Sequence, residues 1–329
     1  MGDSPLFQDF NKASGLLKEG HVRRAEKIAD SLIEQGYSGG YELKARCHDA
    51  RGEHSLVIDV LERGVRSAPR VPILWDLLGE HYSNDGRYTD ALSAFQQARH
   101  AGGDESLSNY NLAVTYGRMG EFEQALRFIG SVSTSVSARL RLHAKAWFLA
   151  ETGRLSEALD TANELLEVEP GFASAHAQRA LALQGLGRTS EAREAALRAL
   201  EIDPTEEAAL RTLCMQLPKC DAETHMYEVV ALVKPKPGVE PFPGLRVDGY
   251  YRTFWAAAKS PQSAVQYFRD IVGEGYECEI DQSSVVQDEI DGHEGVWRVA
   301  PQIVSFSVEG NPLKRLGLMV QARRWRPSD

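Results

Sequence analysis

Residues 72–98 read PILWDLLGEHYSNDGRYTDALSAFQQA, and the order of large and small side chains there decides the fold. Trp75, Leu78, Gly79 and Tyr82 share one helical face, Gly86-Arg87 interrupts the run, and Ala91, Phe95 and Ala98 share a second face. This predicts two amphipathic helices of about a dozen residues each, joined by a tight turn, with small side chains where the backbones cross. Gly79 and Ala91 are the expected points of closest approach.

Outward from this stretch the frame repeats at about 34 residues. The first small residue returns as Ala113, Ala146 and Ala180, the second as Ala125, Ala158 and Ala192, and the turn glycine as Gly120, Gly153 and Gly187. Pro170 and Pro204, each after an acidic residue, stop one helix and set the entry to the next. A weaker version runs back through Ala45, Gly52 and Pro69, and again through Ala13, Gly20 and Ala25. Six units result, starting near Leu6, Ser38, Pro72, Ser106, Arg139 and Ala173. The segment Thr205 to Leu217 then reads as a capping helix offering Ala208, Ala209, Leu213 and Leu217, because a terminal repeat has no neighbour to cover its apolar face.

The order W-x2-L-G-x2-Y followed by A-x3-F-x2-A resembles the tetratricopeptide repeat, with Gly103 where that repeat ends in proline. The resemblance covers about residues 6–217. It implies an α-solenoid of six tetratricopeptide-type helical hairpins plus a capping helix; the chain beyond it resembles no known family and reads, from its own residues, as a small α+β domain, an antiparallel sheet with one helix. The resemblance also implies that the first helix of each unit lines a concave surface that holds a protein or peptide. The positions that line it in the family fall here on Glu42, Arg46 and Asp49, on Asp76, Glu80 and Asn84, on Tyr110, Asn111 and Arg118, on His143, Trp147 and Glu151, and on Gln178 and Gln184. The lysines with which family members grip a chaperone's terminal carboxylate are missing around Asn111, so a chaperone clamp is not expected. An acidic portion beside Tyr110 and Trp147 suits a segment carrying Lys or Arg instead, since aromatics anchor interfaces and carboxylates steer cations. The alternative is that both aromatics pack between helices and the acids form a solvated face.

Past His225 the helical pattern gives way to β-branched and aromatic runs around a proline-rich stretch, Lys234 to Gly244. The expected division is a repeat domain at 1–220 and an α+β domain at 221–329. Met226–Val233, Tyr250–Ala257, Tyr276–Ile280, Gln302–Val308 and Arg315–Trp325 read as strands. Ser260-Pro261 starts a helix, the serine as N-cap and the proline at the first position, with Ala264, Val265, Phe268, Ile271 and Val272 on one face up to Gly273.

A net charge of -10 opposes condensation onto a polyanion, so nucleic acid is not the expected partner. No apolar run reaches the ~18 residues of a membrane span, and Met1–Phe10 has no signal-peptide pattern, so a cytoplasmic protein without a membrane partner is expected. Cys47, Cys214, Cys220 and Cys278 form no CxxC pair and read as reduced thiols. No phosphate-cradling loop, nucleophile elbow or HExxH motif occurs, and no cofactor or metal is expected. The acidic group Asp281, Asp288, Glu289, Asp291, His293 and Glu294 lacks calcium-loop spacing and reads as a hairpin loop. Cys278 with His293 or His225 reads as packing, not catalysis. A basic run, Arg315, Arg323, Arg324 and Arg326 beside Trp325, is the one cationic patch. The expectation is an interaction scaffold and not an enzyme, with two alternatives: an immunity or regulatory protein that occludes one cognate target, or an activity carried by the C-terminal domain.

Overall fold

The structure, a computed structural model, describes residues 4–238, 249–273, 276–287 and 293–307. In chain order thirteen helices come as six successive twos and a cap: α1 (Pro5–Lys18) and α2 (Val22–Glu34), α3 (Gly39–Asp49) and α4 (His54–Ser67), α5 (Pro72–Asn84) and α6 (Tyr88–His100), α7 (Glu105–Arg118) and α8 (Phe122–Gly130), α9 (Ala138–Glu151) and α10 (Leu155–Val168), α11 (Ala173–Gly185) and α12 (Thr189–Ile202), then α13 (Glu207–Cys214). The chain divides into two compact units, the first ending at Arg154 and the second starting at Leu155.

The turn inside each pair follows from its glycine. Gly20, Gly52, Gly86, Gly120, Gly153 and Gly187 all sit at φ between 72° and 80°. At Gly86 this left-handed residue lets the Arg87 amide reach back to the Tyr82 carbonyl at 2.8 Å, which closes the carbonyl end of α5. The arginine after the glycine has its own task. Arg87 donates to Asp90 at 2.8 Å and lies 4.1 Å over the Tyr82 ring, while in the sixth pair Arg188 repeats the bond to Glu191 at 2.8 Å. Both acids stand in the first turn of the second helix, where they also suit the helix dipole.

Small residues set the closeness of neighbours. A Cβ on Gly79 would stand 2.6 Å from the Phe95 ring and one on Gly117 would stand 2.3 Å from the Phe148 ring, so each glycine is the floor of an aromatic slot. Trp75 ties its indole N–H to the Pro69 carbonyl at 2.9 Å, and His176, at the same place in the sixth pair, meets the Pro170 carbonyl at 3.0 Å.

Within the first unit the core is serial. One buried cluster gathers Ala13, Ala25, Ala29, Leu32 and Leu43, the next Val57, Leu61, Leu74, Leu78, Ala91 and Phe95, and the third Ala113, Ala125, Ile129 and Phe148. Such segmentation is what repeats that bury their faces only against neighbours produce.

Within the second unit α13 packs against α11 and α12 on one side and, on the other, against the last strand of a four-stranded antiparallel sheet. The strands are β1 (His225–Pro235), β2 (Gly249–Ala258), β3 (Tyr276–Gln287) and β4 (Gly295–Ser307), in spatial order β3-β1-β2-β4. Helix α14 (Pro261–Val272) begins at Ser260, whose hydroxyl accepts from the Ser263 amide at 3.1 Å, and stacks Phe268 on Phe254 of β2 at 4.3 Å between ring centroids. β3 runs seven residues past the expected end at Ile280, through Ser283 to Gln287, and β4 starts at Gly295 instead of Gln302. Both are edge strands with exposed or polar positions, including Val285, Val286 and Trp297, so apolar alternation marks them poorly. The expected strand at Arg315–Trp325 and the basic run within it lie outside the described residues.

Candidate partner-binding face

In the first unit the first helices pack in series, α1 on α3, α3 on α5, α5 on α7 and α7 on α9, so equivalent positions form rows. The fifth residue of the repeats that start at Ser38, Pro72, Ser106 and Arg139 is Glu42, Asp76, Tyr110 and His143 in turn.

The acidic end is less uniform than its composition suggests. Glu42 is half-buried with Arg46 at 3.6 Å; burial pushes its carboxyl up and the Arg46 charge opposes that. Asp49 is exposed, 3.8 Å from His54. Asp76 is different: it is only 7% exposed, its Oδ1 has no hydrogen-bond partner, and burial, then repulsion from Asp104 and Glu80, push its pKa up to about 6. Asp104 itself is occupied as the N-cap of α7, accepting from the Leu107 amide at 2.8 Å. Glu80 and Asn84 are exposed on α5.

Arg118 is held to the neighbouring pair, donating to Asn84 Oδ1 at 2.6 Å and Ser83 Oγ at 3.1 Å. Tyr110 is half-buried against the third cluster, and burial raises its hydroxyl pKa. Asn111 is half-buried, and its backbone carbonyl accepts from Thr115 at 2.8 Å. Burial, then Arg139, lower the pKa of half-buried His143. Trp147 rests edge-on against Phe122 at 6.0 Å and tilted on Phe148 at 5.0 Å, so much of its indole serves the cluster. Glu151 is exposed at the end of α9. Gln178, half-buried on α11, and Gln184, which accepts from Gln216 at 3.0 Å, belong to the second unit.

Ile73, Leu107 and Leu140 are the residues that polar-first reading passes over. They are the second residues of the repeats that start at Pro72, Ser106 and Arg139 and are 43%, 36% and 45% exposed. Their regular spacing in the sequence is the signal that could have found them.

In the second unit a cleft of about 610 Å³ beside α13 is lined by Glu206, Glu207, Ala208, Arg211, Cys214, Met215, His293 and Trp297. His293 holds the Leu217 carbonyl at 2.7 Å, and the buried Cys214 thiol donates to the Val296 carbonyl at 3.3 Å with its pKa pushed up to about 12. Burial likewise pushes the Cys278 thiol up to about 11. Neither is a thiolate near neutral pH, which is what a cysteine nucleophile needs. Glu294 is buried between Thr224 and Tyr267, both of which donate to it, and Asp281 falls within β3. Asp288, Glu289 and Asp291 lie outside the described residues. Among the described residues no three of His, Cys, Asp and Glu gather as metal ligands, and no helix is long and apolar enough to cross a membrane.

Helix pairs turned at a left-handed glycine, with small residues where helices meet, have the fold of tetratricopeptide repeats. The sequence comparisons agree: residues 74–105 match the family described as tetratricopeptide repeat, and residues 141–242 match the one described as Psidin, N-terminal TPR repeats region. The chain is 32% identical over 88 residues to Superkiller complex protein 3 of Mus musculus and 30% identical over 104 residues to Superkiller protein 3 of Schizosaccharomyces pombe. Those stretches are 27% and 32% of this chain but only 5% and 7% of the relatives. Among solved structures, PilW, a type IV pilus biogenesis factor, superposes with a TM-score of 0.58 at 13% identity, covering 64% of this chain and 100% of that one. A chain of the APC/C hetero-tetramer Cut9-Hcn1 gives 0.55 at 16% identity, covering 63% and 42%. At these identities the likeness is one of fold.

Proposed function

We propose that the protein is an adaptor that holds an extended, basic segment of a partner protein against the first helices of its repeat array. The observation that carries this reading is the row Ile73, Leu107 and Leu140, three large aliphatic side chains left in solvent at one equivalent position of three adjacent helices. A lone exposed leucine is ordinary surface, whereas a periodic set marks a surface that something else covers. The sign of the residue met at α5 follows from that helix, because Asp76 and Glu80 stand on it with no Lys or Arg of its own and Arg118, which reaches it from α7, is already engaged by Ser83 and Asn84. Aliphatic side chains of the segment would cover the row, and carboxylates would steer and register its cations.

The test uses peptides selected from a random dodecapeptide display library on the intact chain. Leu107→Asp and Leu140→Asp should each weaken binding of the selected peptides at least tenfold by calorimetry while leaving the thermal midpoint within a few degrees. Equal binding by both variants would show that the peptides sit elsewhere.

A further inference from the structure

We infer that Asp76 is a receptor for one lysine or arginine side chain of the bound segment, at a fixed distance along that segment from the aliphatic residues on the row. The inference rests on the groove reading above and adds the sequence rule for its occupant.

A carboxylate more than nine-tenths buried normally finds a donor, because desolvation without a partner costs far more than a surface site does. Asp76 leaves one oxygen without a donor: its buried Oδ1 has no partner, the charges that bear on it are the like charges Asp104 and Glu80, and Arg118 is bonded to Ser83 and Asn84 instead. Every neighbouring influence therefore works against this side chain as the chain stands alone, and a cation supplied from outside reverses all of them together. It replaces the missing hydrogen bond, offsets the repulsion and makes the carboxylate's burial an asset, since a charge pair is stronger away from water.

Spacing follows from helix packing. α5 and α7 are in contact, as are α7 and α9, and packed helix axes lie about 8–10 Å apart. An extended chain advances about 3.3 Å per residue, so successive rows are met about every third residue of the segment. The expected occupant has a basic residue opposite Asp76 and aliphatic residues about three positions apart, opposite Leu107 and Leu140.

The probe is the random dodecapeptide library, selected in parallel on the full wild-type chain and on Asp76→Asn, with thermal denaturation of both. On the wild type, selected peptides should share one Lys or Arg with aliphatic residues at that spacing. Their affinity should fall at least tenfold on Asp76→Asn and by the same factor when the basic residue is replaced by norleucine. Peptides that depend on Leu107 and Leu140 yet show no basic position, or that bind Asp76→Asn equally well, would overturn the Asp76 subsite and leave the groove reading standing. No enrichment on the wild type, or enrichment indifferent to Leu107→Asp and Leu140→Asp, would overturn both.

Discussion

Asp76, the proposed receptor for a cation, ties stability to pH through one carboxyl. Its pKa in the folded chain, about 6, exceeds the ~3.9 of an unfolded aspartate, so between those values the native state holds a proton that the unfolded state has released. Its contribution is therefore most favourable below about pH 4 and is lost as pH rises through 6. Asp76→Asn removes the charged form, and at pH 7.5 it should raise the unfolding free energy by on the order of 1–3 kcal/mol, with no gain at pH 4. Urea unfolding of both proteins at the two pH values measures this. The slots beneath the aromatic rings work in the opposite sense. Gly79→Ala places a methyl 2.6 Å from fully buried Phe95 and should cost about 1–3 kcal/mol by overpacking. Gly130→Ala, with nothing within 4 Å, should change stability by less than about 0.5 kcal/mol.

Among elements, the helix pairs were legible because their determinants are local. Trp75, Gly79, Tyr82, Gly86, Ala91 and Phe95 lie within one period, and each acts on a neighbour in the same or the adjoining helix. The sheet was legible only in its centre. β1 alternates buried and half-buried residues from Met226 to Val233, which marks nearly its full length, whereas the edge strands β3 and β4 have one side without a partner strand and lack that mark over part of theirs. The joint between α13 and β4 was not legible, since it brings Cys214 and Leu217 against Gly295 and Val296, residues about 80 positions apart. Gly295 holds φ 122° with Cys214 Sγ 2.9 Å from where a Cβ would stand. Gly295→Ala should therefore loosen α13 from the sheet, seen as faster limited proteolysis at the Leu217–Asp221 connection than in the wild type. An unchanged cleavage rate would mean that this contact does not hold the cap.

At the scale of the molecule, the proposed partner-binding face is the part that sequence disclosed least evenly. The family's positions located Asp76, Tyr110 and Trp147 on first helices, but only three dimensions separate a carboxylate without a donor from Glu42, which has Arg46 beside it, and a wet aromatic from Trp147, which leans on Phe122 and Phe148. A net charge of -10 adds a long-range pull on cationic segments that salt screens over about 8–10 Å. Association of a selected basic peptide should therefore slow between 50 and 300 mM salt, while its dissociation from the buried Asp76 changes much less. Hydrogen exchange of the full chain, with and without the tightest selected peptide, tests the central claim most directly. Slowed exchange should fall on α5, α7 and α9 of the first unit, and protection confined to α4, α6 and α8, or to the second unit alone, would contradict the account.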